Sequence, residues 1–300
     1  MDELTMKRLA VIKQLYLQGV AQSYEVEPMN GFSILSFHDS VEMFMKLCAE
    51  RKNIQINRNV NFGDYFVKLP DLKCHTTMTN LNNKRVNLKH YGTIPSKLDI
   101  EISRVNVTDF FEQNTPVYFG VQFNEISLIS LIKYESVRKY LTKSLSDFSS
   151  DSFKESITNS QIAFKDLIHC HTEENTKNYK SVFDTENDFT FLSSFFLNIG
   201  LGRKFDEFID KVPKSIHSLE ENINLIGLGI DYKRYRKFKI LSPYIAPWYD
   251  NNTVLYKVYI NDEDDRRICN KRNAQFCFDF VIESALKLQQ FDIDINETIK

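Results

Sequence analysis

The segment 32–51 constrains this chain most. Ile34, Phe37, Val41, Phe44, Met45 and Cys48 recur at steps of three and four, and Asp39, Glu42, Lys46 and Glu50 take the opposite side. A period of 3.6 residues gathers the first set onto one face of a helix. That face has to be covered, so the rest of the chain must supply further helices. The composition agrees. Phe and Tyr number 24 and 14 while Gly numbers only 9, a balance that favours long helices over a glycine-rich sandwich.

Other segments meet that demand. Residues 3–20 read as a helix with Leu4, Val11, Ile12 and Leu15 on one face. Residues 53–63 are polar and rich in Asn and Gln, and read as a loop. A third helix is expected over 76–90, with Gly92 as its C-terminal cap and Pro95 blocking continuation. Ser96, with Asp99 three residues on, signals the start of a fourth helix ending near Gln113. Asn114-Thr115-Pro116 through Gly120 then reads as a boundary, dividing a helical domain, 1–115, from a second domain, 116–300.

The second part stays mainly helical, with candidates at 134–148, 152–171, 190–199 and 205–225. Residues 238–245 and 253–260 are β-branched and aromatic, with Asp250-Asn251-Asn252 between them, so a β-hairpin is expected. A charged loop, 261–272, leads to a final helix over 274–290. Cys277, Phe280, Val281, Ser284 and Leu288 line one side of it. Phe276 and Phe278 lie elsewhere, which implies burial on more than one face. The expected fold class is therefore mainly α, with one hairpin in the C-terminal domain.

Charge and cysteine usage exclude several classes. The formal net charge is −2, so no global field draws the chain to nucleic acid and any such contact must be local. The five cysteines form no CxxC pair, and they read as small core residues in a reducing compartment. The N-terminus carries no basic region followed by an apolar run, and no stretch approaches the roughly 18 apolar residues of a membrane span. A cytoplasmic location without membrane contact is expected.

The segment 82–92 carries the clearest chemistry. Arg85 and His90 stand at R-x4-H spacing, and Met78, Leu81 and Leu88 form an apolar stripe that includes Arg85. A charge on a buried stripe is costly unless it is paired or functional. His90 lies about 140° around the helix from Arg85, so a long Arg side chain or a second copy of the helix is needed to join them. Taken with the amphipathic SFHDSVEMFMKLCAE helix before it and Gly92-x-x-Pro95-Ser96 after it, residues 1 to about 113 resemble the HEPN family. The run Lys89-His90-Tyr91-Gly92 is similar to members from bacterial defence loci.

The resemblance implies a four-helix bundle and a metal-independent endoribonuclease working as a homodimer on an RNA substrate, with two motifs meeting in a cleft and a defence-system partner protein alongside. His90 would activate the 2′-hydroxyl or protonate the leaving oxygen, because imidazole titrates near neutrality. Arg85 would hold the scissile phosphate. The products would be a 2′,3′-cyclic phosphate and a 5′-hydroxyl. Active members place a polar residue directly after the motif arginine; here Val86 stands there and Asn87 follows. The alternative reading is a non-catalytic HEPN dimerisation or interaction module.

A second candidate is 232–239, where Lys233, Arg234, Arg236, Lys237 and Lys239 interleave with Tyr232, Tyr235 and Phe238. Phosphates attract the cations and unstacked bases stack on rings, so Lys233, Arg234, Tyr235 and Arg236 are the expected RNA contacts. An edge strand with a solvated basic face explains the same pattern. Arg266, Arg267, Lys271 and Arg272 are offset by Asp262, Glu263, Asp264 and Asp265, and read as a solvated loop. His38, Asp39 and Glu42 either approach the R-x4-H segment or belong to a polar helix face. His169-Cys170-His171 has ligand residue types, but adjacent helical positions diverge. Gly200-Leu201-Gly202 and Gly227-Leu228-Gly229 lack a third glycine. No metal or cofactor is expected.

Overall fold

The computed structural model describes residues 2–56, 60–176, 211, 215, 218–219, 222–250, 253–259 and 268–289. The helix expected over 190–199, most of that over 205–225, the Gly200-Leu201-Gly202 run, Arg266, Arg267 and the acidic residues 262–265 lie outside them. The chain is mainly helical, with one two-stranded antiparallel hairpin among the described residues, and it divides into two compact units, 1–131 and 132–300. No helix among the described residues is long and apolar enough to cross a membrane.

The first unit is built around α2 (Ser33–Arg51). All six apolar residues expected on its inner face are fully buried. Helix α1 (Glu3–Ser23) starts at Asp2, whose carboxylate accepts the Thr5 N–H at 2.8 Å, a side-chain cap for an otherwise orphaned donor. Its buried seam differs from the expected one. Leu9, Ile12 and Gly19 face inward while Leu4 and Val11 are exposed. The reason is local. Gly19 lies where a Cβ would come 2.7 Å from the Phe37 ring, so α1 turns its glycine, not its larger residues, toward α2 there. Arg8 at the other end pairs with Glu50.

After the short α3 (Asp64–Lys68), which the polar 53–63 region did not announce, α4 spans His75–Tyr91. Gly92 caps it in the left-handed conformation, φ 66°, and the Thr93 N–H reaches back to the Asn87 carbonyl at 3.2 Å. Only glycine adopts this conformation without strain. Ser96 then opens α5 (Lys97–Phe119), its hydroxyl accepting the Asp99 N–H at 3.2 Å.

Helix α5 does not end near Gln113. Asn114 and Thr115 are buried and bond back to the Phe110 and Phe111 carbonyls, each at 2.7 Å, and Phe119 packs on Phe44. This burial carries the helix through Pro116, whose missing N–H falls opposite Glu112, an exposed residue. The boundary expected at 114–120 is thus helical, and the units divide after Leu131.

In the second unit, α6 (Glu135–Ser149) and α7 (Phe153–Thr176) form an antiparallel pair. Ser144 joins them through hydrogen bonds to Ser156 and Ser160. Helix α8 (Tyr232–Leu241) is capped by Asp231, and α9 (Lys271–Leu288) by Asn270. The expected stripe Cys277, Phe280, Val281, Ser284 and Leu288 is buried, as are Phe278 and Ile282 on other faces of α9. Phe164, Phe238 and Phe280 form its aromatic centre, with ring centroids 4.7–5.4 Å apart. Strands β1 (Tyr244–Asp250) and β2 (Thr253–Tyr259) make the hairpin. Residues 238–241 belong to α8 and not to the expected extended segment: Asp231 caps that helix, and Phe238 is drawn into the core.

Candidate functional site

The α2–α4 seam of the first unit gathers polar side chains from two helices, with His38 and Asn82 lying 44 residues apart in the sequence. His38 on α2 is 3% exposed. Its Nε2 lies 3.0 Å from Asn82 Oδ1 on α4, and its Nδ1 lies 3.4 Å from Asp39 Oδ1 and 4.0 Å from Glu42 Oε2. Phe62 stacks on the imidazole at 4.6 Å and excludes water from that side. Arg85, three residues after Asn82, shares its face of α4 and adds a positive charge that His38 feels.

Burial is the main force holding the His38 pKa below its ordinary 6.5, and Arg85 adds to it; hydrogen bonds with Asp39 and Asn82 and the charge of Glu42 act the other way. His38 is therefore neutral when folded near neutrality. The linkage sign follows. Below pH 6.5 the unfolded chain binds a proton that the folded chain resists, so stability is complete above that pH and is lost as pH falls from there toward the folded value. We expect His38→Gln to flatten the pH dependence of thermal unfolding of the full chain below pH 6.5. An unaltered slope in that window would remove His38 from the account.

Arg85 is half-buried, as a continuation of the buried Met78 and Leu81 stripe. Among the described residues it makes no hydrogen bond and no ion pair. Lys84, its neighbour, is by contrast fixed to Asp99 at 3.0 Å. A planar fork of five donors in this position suits a phosphate or carboxylate from outside the chain. His90 is exposed in the last turn of α4, about 80° around the helix from Asn82 and about 140° from Arg85. One copy of the helix does not aim both side chains at one point.

His38, Asp39 and Glu42 are also the grouping among the described residues whose ligand atoms lie close enough to share an ion, within 4.8 Å of one another. Two cations oppose metal there. Lys46 holds Glu42 at 2.7 Å, and Arg85 acts on His38. Beneath the seam Tyr65 is fully buried with no partner for its hydroxyl, and desolvation together with the Glu42 charge pushes its pKa up to about 12.

The sequence singles out Arg85 and His90, with His38, Asp39 and Glu42 either approaching that segment or belonging to a polar helix face. The structure brings Arg85, His38, Asp39 and Glu42 together and leaves His90 exposed in the last turn of α4. It adds Asn82, Phe62 and Tyr65. Asn82 had a signal, since it lies one helical turn before Arg85; the other two sit in a region read as a loop or given no element.

The basic segment of the second unit is helix α8, not an edge strand. Tyr235 is buried against Phe164, their centroids 5.7 Å apart, so its ring presents no face to a base. Arg234 is paired with Glu283, and Lys237 sits 3.9 Å over the Phe276 ring. Lys233 and Arg236 stand exposed one turn apart. No family model, no curated protein and no solved structure matches the chain.

Proposed function

We propose that this protein is an RNA-directed effector of bacterial defence, a HEPN-like endoribonuclease that works without metal. The observation that carries the reading is Arg85. It is a half-buried guanidinium with no partner among the described residues, on a face of α4 that also carries Asn82, which bonds a neutral His38 of α2. Burying such a donor set without an acceptor is costly, and an RNA phosphate supplies one bidentately. His90, five residues on and exposed, is the group for proton transfer at the 2′-hydroxyl or leaving oxygen. Because the two diverge around α4, the reactive pair is assembled between two copies of the chain in a symmetric dimer. The experiment is RNA cleavage by wild type and by His90→Ala, with and without EDTA.

A second reading is a non-catalytic HEPN dimerisation module docking a defence partner. One feature favours it: Val86 occupies the place after Arg85 where active members of the resembled family are polar.

In either reading Lys233 and Arg236 of α8 are the RNA-contacting cations of the second unit, while Arg234 and Tyr235 serve the fold. Each released phosphate counterion contributes roughly 0.7 to the log–log salt slope of single-strand binding. Lys233→Ala/Arg236→Ala is therefore expected to flatten that slope by about 1.4, whereas Arg234→Ala lowers thermal stability. Equal slopes for wild type and the double variant would return α8 to a purely structural role.

A further inference from the structure

The hairpin of the second unit has one face engaged and one open. Register pairs Tyr244 with Tyr259, Ala246 with Lys257 and Trp248 with Leu255, and strand alternation places these six on the same side. The opposite side docks the hairpin onto its own unit. Ile245 is buried, and the Tyr256 hydroxyl donates to Asp166 Oδ1 of α7 at 2.8 Å while its ring meets Tyr140 of α6 edge-on. The open side is not needed for that docking, yet it carries the chain's single tryptophan, 50% exposed, with Tyr244 at 69% and Tyr259 at 48%. Three large rings on the outer face of a two-stranded ribbon mark an interaction surface.

Charge selects the occupant. Lys257 stands among the rings, 5.3 Å from the Tyr259 centroid, whereas Asp250, the other charged residue that the register puts on this side, lies at the turn end. The centres of protein–protein interfaces are depleted in lysine, whereas a polyanion whose bases expose flat π-faces uses rings and cations together. Ser242 and Pro243 alone separate α8 from β1, so the exposed Lys233 and Arg236 lie a short way along the chain. On their own helix Tyr235 is buried and Tyr232 is half-buried, so the hairpin supplies the more exposed rings.

We propose that the outer face of the β1–β2 hairpin is a stacking platform for single-stranded RNA, with Trp248, Tyr244 and Tyr259 taking bases and Lys257 a phosphate. This goes beyond the cleavage reading and does not rest on it.

The test uses full-length protein carrying Arg85→Ala and His90→Ala, so that binding is read in the absence of the side chains assigned to cleavage; success or failure here leaves that reading untouched. A labelled twelve-nucleotide oligouridine is titrated by anisotropy, and tryptophan emission, which reports Trp248 alone, is followed in parallel. We expect quenching on binding, affinity about tenfold weaker for Tyr244→Ala and for Trp248→Ala, retention of affinity by Tyr244→Phe, and weaker binding of a duplex of equal length. Tyr244→Phe separates loss of a ring from loss of the fold. The proposal is overturned if the oligonucleotide binds without changing the emission, if duplex binds as well as single strand, if the alanine variants stay within twofold of the parent, or if no binding occurs. It is equally overturned if rising protein concentration alone shifts the emission to shorter wavelength and RNA does not reverse it, which would place a second copy of the chain on this face.

Discussion

We expect His90→Ala to abolish RNA cleavage without loss of helical signal, and wild-type cleavage to persist in EDTA. His90 is exposed in the last turn of α4 and supports no buried contact, so its removal leaves the bundle intact. The loss expected for a group that moves a proton in the transition state is about 10²- to 10⁴-fold. Arg85→Ala is expected to reduce cleavage as well, through loss of a charge-assisted hold on the phosphate. The two variants differ in a further respect. If one copy lends Arg85 and the other His90, mixing the two inactive proteins rebuilds one complete pair in the mixed dimer and restores part of the activity. Equal cleavage by wild type and His90→Ala would remove the enzymatic reading and leave the interaction module.

Much of the first unit was legible because its signals are local. The inner face of α2 repeats at a helical period, and every residue of that set is buried. The Gly92 and Ser96 caps work through bonds spanning a few residues, and both appear as expected. Failures came where distant contacts override local signals. Asn114-Thr115-Pro116 has the composition of a terminator, yet Phe44 on another helix holds Phe119 in the core and the helix continues. Residues 232–241 alternate basic and aromatic residues in a way that suits a strand edge, but the Asp231 cap and the buried positions of Tyr235 and Phe238, three apart, follow a helix.

The candidate site divides along the same line. Arg85 could be singled out because a charge stands in its own helix's apolar stripe. Its surroundings could not be fixed. That His38 faces Asn82, 44 residues on, across the α2–α4 seam depends on how the two helices are rotated, and no pattern within either helix sets that rotation. Tyr65 and Phe62 belong to a segment whose helix α3 is only five residues long, too short to leave a periodic trace.

Phe44→Ala is expected to be the most damaging single change in the first unit. Phe44 is fully buried at the centre of α2 and meets three rings edge-on, Phe110 at 5.5 Å, Phe111 at 5.3 Å and Phe119 at 5.5 Å. Truncation removes the transfer free energy of the ring and leaves a cavity that α2 and α5 cannot close, since Ile34, Phe37, Val41 and Met45 already fill the rest of that face. Phe→Ala at such a site costs about 3–5 kcal/mol, a large share of the roughly 5–15 kcal/mol that a domain possesses. Phe44→Leu keeps most of the volume and should cost clearly less. The consequence reaches the site, because Phe44 is on the same helix as His38 and fixes how α2 sits against α5. Urea unfolding of both variants, followed by helical signal, measures the difference. A Phe44→Ala midpoint equal to that of wild type would mean that α2 is not the central helix of this unit, and would undo the packing on which the His38–Asn82 contact depends.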